Sequence, residues 1–96
     1  MLSWPSKDPN EVLDYQIDWA DTTSPRLVTG ETLTASTYTV PTGDVVIASN
    51  SFTAAGVTTV WLSGGTDGTL CMVLNRVVTS AGRTYDKTVR LRIRSH

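Results

Sequence analysis

Apolar and polar side chains alternate most strictly near the end of the chain, and this predicts a β-strand over residues 87–94. The alternation separates an apolar face from a basic one: Val89, Leu91 and Ile93 against Arg90, Arg92 and Arg94. We expect the apolar face to enter the core and the arginine row to face outward.

The preceding run, residues 69–79, is also predicted to be a strand, but both of its faces are apolar. One face holds Cys71, Val73 and Val77 with Asn75, and the other holds Leu70, Met72, Leu74 and Val78 with Arg76. A strand of a two-layered antiparallel fold normally shows solvent a polar face. We therefore expect the second face to be covered by another protein.

The rest of the chain predicts further short strands separated by turn signals. Residues 12–19 alternate, with Asp14 and Asp18 outward; residues 32–40 are β-branched, with no clear inward face; residues 45–49 are short and apolar. Residues 57–62 complete the set, with Trp61 expected in the centre of the core. Six or seven short strands predict an all-β antiparallel sandwich over residues 11–96.

Two segments are not assigned to the sheets by the pattern. Residues 1–10 contain two prolines and little periodicity, which indicates an extended arm outside the sheet. Trp4 in this arm either folds back onto the core or anchors on a neighbouring subunit. Residues 20–30 are expected to form a polar loop or a short edge segment.

The composition argues against most chemical functions. The chain has one cysteine, Cys71, interpreted as a small core side chain, and one histidine, His96, at an end expected to be mobile. We therefore expect no catalytic triad, no metal site and no cofactor. Asp14 and Asp18 are too far apart along a strand for a glycosidase pair. We expect neither a signal peptide nor a membrane span.

The charge is distributed unevenly, although the formal net charge is only −1. Residues 1–44 contain seven acidic and two basic side chains, whereas residues 76–96 contain one acidic and six basic ones. Nucleic-acid binding is disfavoured because no aromatic residue is interleaved with the arginines. The arginine row could instead pair with Asp14 and Asp18 of the same molecule or with the acidic half of a neighbour.

Three motifs together resemble a family of small virion proteins of tailed bacteriophages and prophages, the fibre-tail adaptors. They lie in residues 8–15 with Asp18 and Trp19, in residues 59–66 with Gly68 and Thr69, and in residues 79–84 with the final strand. The resemblance implies an Ig-like sandwich without catalytic activity, present in several copies in the virion. The family's penultimate strand is rich in threonine, whereas residues 71–74 are apolar here, which indicates a more hydrophobic contact.

The resemblance predicts a virion structural protein, assembled in the host cytoplasm, that binds other virion proteins and copies of itself at the neck or tail. The expected contact residues are Trp4, Leu70, Met72, Leu74, Arg76, Arg90, Arg92 and Arg94. A decoration protein on the capsid shell is an alternative, since it needs the same rigid sandwich. A carbohydrate-binding module is a lesser alternative, because it would require exposed coplanar aromatic side chains.

Overall fold

Strand-forming runs of the sequence build two β-sheets. The structure, a computed structural model, describes residues 2–19 and 31–95. Its strands are β1 (Leu2–Ser3), β2 (Leu13–Asp18), β3 (Leu33–Thr42), β4 (Val45–Phe52), β5 (Val57–Gly64), β6 (Leu70–Thr79) and β7 (Thr84–Arg92). No helix in these two ranges is long and apolar enough to cross a membrane. The predicted loop over residues 20–30 and His96 lie outside the described residues.

The strand order confirms the all-β, Ig-like sandwich. One sheet has four strands in the order β1-β7-β6-β3, and the other has three in the order β2-β5-β4. All pairings are antiparallel except that of β1 with β7. With β2, β5 and β4 taken as strands B, E and D, and β3, β6 and β7 as C, F and G, this is the arrangement of immunoglobulin-type domains.

The core lies between the two sheets, where the predicted inward faces of β2, β6 and β7 meet. The alternation places Tyr15 and Ile17 of β2 inside, while Asp14, Gln16 and Asp18 are exposed. Side chains fully removed from solvent come from both sheets: Trp19, Val60, Leu62, Cys71, Val73, Val77, Val89, Leu91 and Ile93. Burial of this apolar surface is the main favourable contribution to folding.

The sequence of β3 predicts no inward face because the strand is irregular. Leu33 and Tyr38 are both buried although their positions differ by an odd number, which a regular strand does not allow. A shift in register between Leu33 and Ala35 makes this possible, because the irregularity exchanges the two faces of the strand. The strand also runs on through Pro41, which an edge strand tolerates.

The N-terminal segment differs from the prediction of an arm outside the sheet. Residues 2–3 form β1 and pair in parallel with Val89 and Arg90 of β7. The backbone N–H of Trp4 donates to the carbonyl of Arg90 at 3.0 Å, and the N–H of Lys7 donates to that of Arg92 at 3.0 Å. Pro5 lies between these two donors and has no N–H, so the pairing is interrupted there. The segment covers the edge of β7 that would otherwise be open.

Lys7 anchors this segment. Its side chain is fully buried, and its ammonium group donates to the carbonyls of Asp8 at 2.8 Å and Gly64 at 2.7 Å. A buried ammonium group is costly unless its protons are accepted. The two carbonyl acceptors therefore hold the N-terminal segment against the end of β5.

Candidate functional site

The apolar outer face of β6 is exposed on the molecule as it stands. Leu70 is 40% exposed, and Met72 and Leu74 are partly exposed, whereas Cys71 and Val73 between them are fully buried. The structure thus places Leu70, Met72 and Leu74 on the outer surface of the four-stranded sheet, as the two-sided pattern predicts.

The arginine row lies directly beside these apolar side chains. In the pairing of β6 with β7, Leu70 is opposite Arg92 and Met72 is opposite Arg90. Both arginines are exposed, and Arg94 is exposed just beyond the end of β7. We call the surface formed by Leu70, Met72, Leu74, Arg76, Arg90 and Arg92 the basic face. An apolar centre flanked by guanidinium groups suits a protein partner that carries carboxylates.

Arg76 is already engaged within the molecule. Its guanidinium group donates from Nε to Asp86 Oδ1 at 2.8 Å and from Nη2 to Asp86 Oδ2 at 2.9 Å. This paired hydrogen bonding lowers the pKa of Asp86 and raises that of Arg76. Arg76 also lines a shallow depression with Thr37, Thr39 and Leu74. The positive charge of the basic face therefore rests mainly on Arg90 and Arg92.

Trp4 folds back onto its own domain, which is one of its two predicted positions. Its ring stacks on Tyr15 with centroids 4.8 Å apart, and its Nε1 donates to the carbonyl of Gln16 at 3.3 Å. The side chain is half-buried and also borders a depression shared with Leu70, Arg90 and Arg92. The structure thus brings Trp4 to the margin of the basic face.

Trp61 was expected in the core, and this prediction is wrong. The side chain is 43% exposed and lies on the outer surface of the three-stranded sheet. Val60 and Leu62 are the buried members of β5, so a period of two sends Trp61 to the opposite side. The alternation of these three residues contained the signal that sequence reasoning missed.

Asp14 and Asp18 share this outer surface with Trp61. Asp14 pairs with Trp61 in the register of β2 and β5, and Val46 of β4 is 57% exposed on the same side, opposite Ser63. We call the surface formed by Asp14, Asp18, Val46 and Trp61 the acidic face. These aspartates lie on the outer side of the three-stranded sheet, whereas the arginine row lies on the outer side of the four-stranded sheet.

The exposed Trp61 also bears on sugar binding. Phe52, another exposed aromatic residue, pairs with the buried Thr58 and therefore belongs to the inner side of its sheet. Trp61 and Phe52 consequently do not form a coplanar platform. Within residues 2–19 and 31–95, no group of three or more metal-ligating side chains is close enough to hold an ion.

The relatives of the chain are identified by a match to a protein-family model. A family model described as podophage GP4 fiber-tail adaptor protein gp77 matches residues 7–92. The chain belongs to this fiber-tail adaptor family. The match runs from the buried Lys7 to the last residue of β7, so it includes β2 to β7 and the whole basic face, whereas β1 precedes it. None of the curated proteins compared with the chain matches it.

Membership of the fiber-tail adaptor family confirms the resemblance seen in the sequence motifs. Those motifs covered the first predicted strand and the last three, whereas the family match also includes β3 and β4. Trp4 and Arg94 lie outside the matched range. The chain is therefore a phage virion component of the structural adaptor type.

Proposed function

We propose that the protein is a non-enzymatic adaptor that joins tail fibres to the tail of a phage particle, and that its basic face is buried against a neighbouring virion protein. Assembly into the particle would take place in the cytoplasm of the bacterial host. The family match supports a position at the tail over one on the capsid shell. A shell protein of the same fold would be present in far more copies per particle.

The observation that carries the proposal is the apolar outer face of β6. Leu70, Met72 and Leu74 occupy alternate positions on a surface that an isolated antiparallel sandwich would keep polar. Removing them from water in an interface would contribute about 25 cal/mol for each Å² of apolar surface buried. The adjoining arginines would then select the partner and its orientation more than they would add affinity.

The test replaces Met72 and Leu74 by aspartate in the phage and measures how much of the protein enters purified particles. Since both side chains point outward, we expect the double variant to fold and its incorporation to fall by at least about tenfold, because carboxylates would be buried in the contact. The single change Leu70→Asp, at the most exposed of the three positions, is the milder form of the same test.

The matched control is Ala55→Asp with Ala81→Asp, which adds the same charge at exposed turn positions on neither sheet face. The control protein should enter particles at the level of the unchanged chain. Normal incorporation of a folded Met72→Asp, Leu74→Asp variant would remove this face from the contact surface.

A further inference from the structure

The two outer faces of the sandwich carry opposite charge. On the four-stranded sheet, the Arg76 and Asp86 charges offset each other, and Lys87 lies on the inner side with its ammonium group 4.7 Å from the centre of the Trp19 ring. The other charged side chains on the basic face are Arg90 and Arg92, both basic and both exposed. The strands of the three-stranded sheet contain two charged residues, Asp14 and Asp18, both exposed on the acidic face.

Each face also has an apolar part. Leu70, Met72 and Leu74 lie beside the arginines, and Trp61 and Val46 lie beside the aspartates. Tryptophan is enriched among the anchor residues of protein interfaces. The two faces thus match each other in both the apolar and the charged components, while each face presented to a copy of itself would bring like charges together.

From this complementarity we propose that the basic face of one copy binds the acidic face of a second copy. The proposal rests on the proposed function in one respect, since it names the neighbour that covers the basic face. The two faces lie on opposite sides of the sandwich, so one copy binds a neighbour on each side. Such a head-to-tail contact forms a ring when its rotation closes and a filament when it does not.

The contact has two consequences that distinguish it from other modes of association. Its charged part weakens as salt screens the arginines from the aspartates. It also needs two different surfaces, so a variant altered in either face cannot associate with copies of itself. A symmetric dimer through the basic face alone would be unaffected by changes at Asp14 and Asp18.

The experiment measures self-association of the purified full chain by analytical ultracentrifugation between about 10 μM and about 1 mM protein, at about 50 mM and about 500 mM salt. One variant carries Arg90→Glu and Arg92→Glu, and the other carries Asp14→Lys and Asp18→Lys. The unchanged chain should form concentration-dependent oligomers that weaken at high salt. Each variant alone should associate at least about tenfold more weakly.

An equal mixture of the two variants should recover association, because each then meets a complementary face on the other. Recovery also shows that both variants are folded. The controls Ala55→Lys with Ala81→Lys, and Ala55→Glu with Ala81→Glu, change the net charge in the turns and should associate like the unchanged chain.

Three results would each overturn the proposal. The unchanged chain could be monomeric throughout this concentration range, the variant with Asp14→Lys and Asp18→Lys could associate normally, or the mixture of the two variants could fail to recover association. None of them alters the outcome of the particle incorporation test with Met72→Asp and Leu74→Asp. If that test succeeds while self-association fails, the basic face binds a different virion protein and the proposed function stands.

Discussion

Asn75 is the residue on which the interior polar contacts of the sandwich converge. Its Oδ1 accepts hydrogen bonds from Trp19 Nε1 at 2.9 Å and from Thr58 Oγ1 at 2.8 Å. Its Nδ2 donates to Ser36 Oγ at 2.9 Å and to the carbonyl of Thr37 at 3.1 Å. All four hydrogen-bonding positions of the amide are therefore used. The network joins the two sheets at one defined register.

Tyr38 extends the same network. Its hydroxyl lies 2.7 Å from Thr58 Oγ1, and since Thr58 donates its own proton to Asn75, Tyr38 is the donor in this pair. Burial of the ring and hydroxyl raises the pKa of Tyr38 to about 12, with the Thr58 contact opposing part of that rise. Tyr38 therefore keeps its proton, and its place in the network, over the whole neutral range.

Replacing Asn75 by leucine should lower the free energy of unfolding by about 2–4 kcal/mol, because the buried groups of Trp19 and Thr58 lose their acceptor. Denaturant unfolding of the purified protein measures this. The control is Asn50→Leu, the same chemical change at an exposed position of β4, which should change stability by less than about 0.5 kcal/mol. Equal stability of the two variants would show that the network does not support the fold.

At the scale of elements, the corner between β3 and β4 depends on one glycine. Gly43 has φ = 104°, in the left-handed region that side chains disfavour. A Cβ atom there would overlap Sγ of Cys71 and would lie 2.8 Å from its Cβ and 2.9 Å from its Cα. The chain passes from one sheet to the other at this corner, so the close approach to β6 fixes how β3 and β4 meet.

Gly43→Ala should therefore cost more stability than Gly82→Ala. Gly82, in the turn from β6 to β7, also has a positive φ of 84°, but an added Cβ would meet no atom within 4 Å. Gly82→Ala should cost about 1–2 kcal/mol through backbone strain alone, and Gly43→Ala an additional 1–3 kcal/mol, roughly, through overlap with Cys71. Thermal unfolding of both variants provides the comparison, and equal losses would contradict this account of the corner.

Elements with strict alternation could be predicted from the sequence, including which side faces the core. Residues 70–79 and 89–94 have the inward and outward sides that their pattern indicates. The prediction for Trp61 is wrong because it followed the preference of large aromatic side chains for the core. The alternation with the buried Val60 and Leu62 places Trp61 on the outer side instead. The face of β3 could not be predicted, because the register shift near Leu33 leaves no local signal.

Pairing between distant segments is also hard to predict from sequence. Strand β1 pairs with β7, and Lys7 bonds to Gly64, across most of the chain length. The prolines near the N-terminus suggested exclusion from the sheet, although Pro5 interrupts the pairing at one position only. The basic face was predictable as a set of residues, and so were the outward positions of Asp14 and Asp18, whereas the position of Trp61 beside Asp14 depended on knowing that β2 and β5 are neighbours.

At the scale of the whole molecule, the sequence asymmetry in charge becomes an asymmetry between two sides of a sandwich. A rigid core joined by the Asn75 network separates a basic face from an acidic one. On the proposed function, these two faces would bind neighbouring proteins on opposite sides of one domain. This property suits a member of the fiber-tail adaptor family.

The most direct test of the central claim is a density map of the intact phage particle in which side chains of this protein are resolved. The account predicts that a neighbouring subunit covers Leu70, Met72 and Leu74, with its carboxylates close to Arg90 and Arg92. A map in which these side chains face solvent, while the protein is attached to the tail through other surfaces, would contradict it.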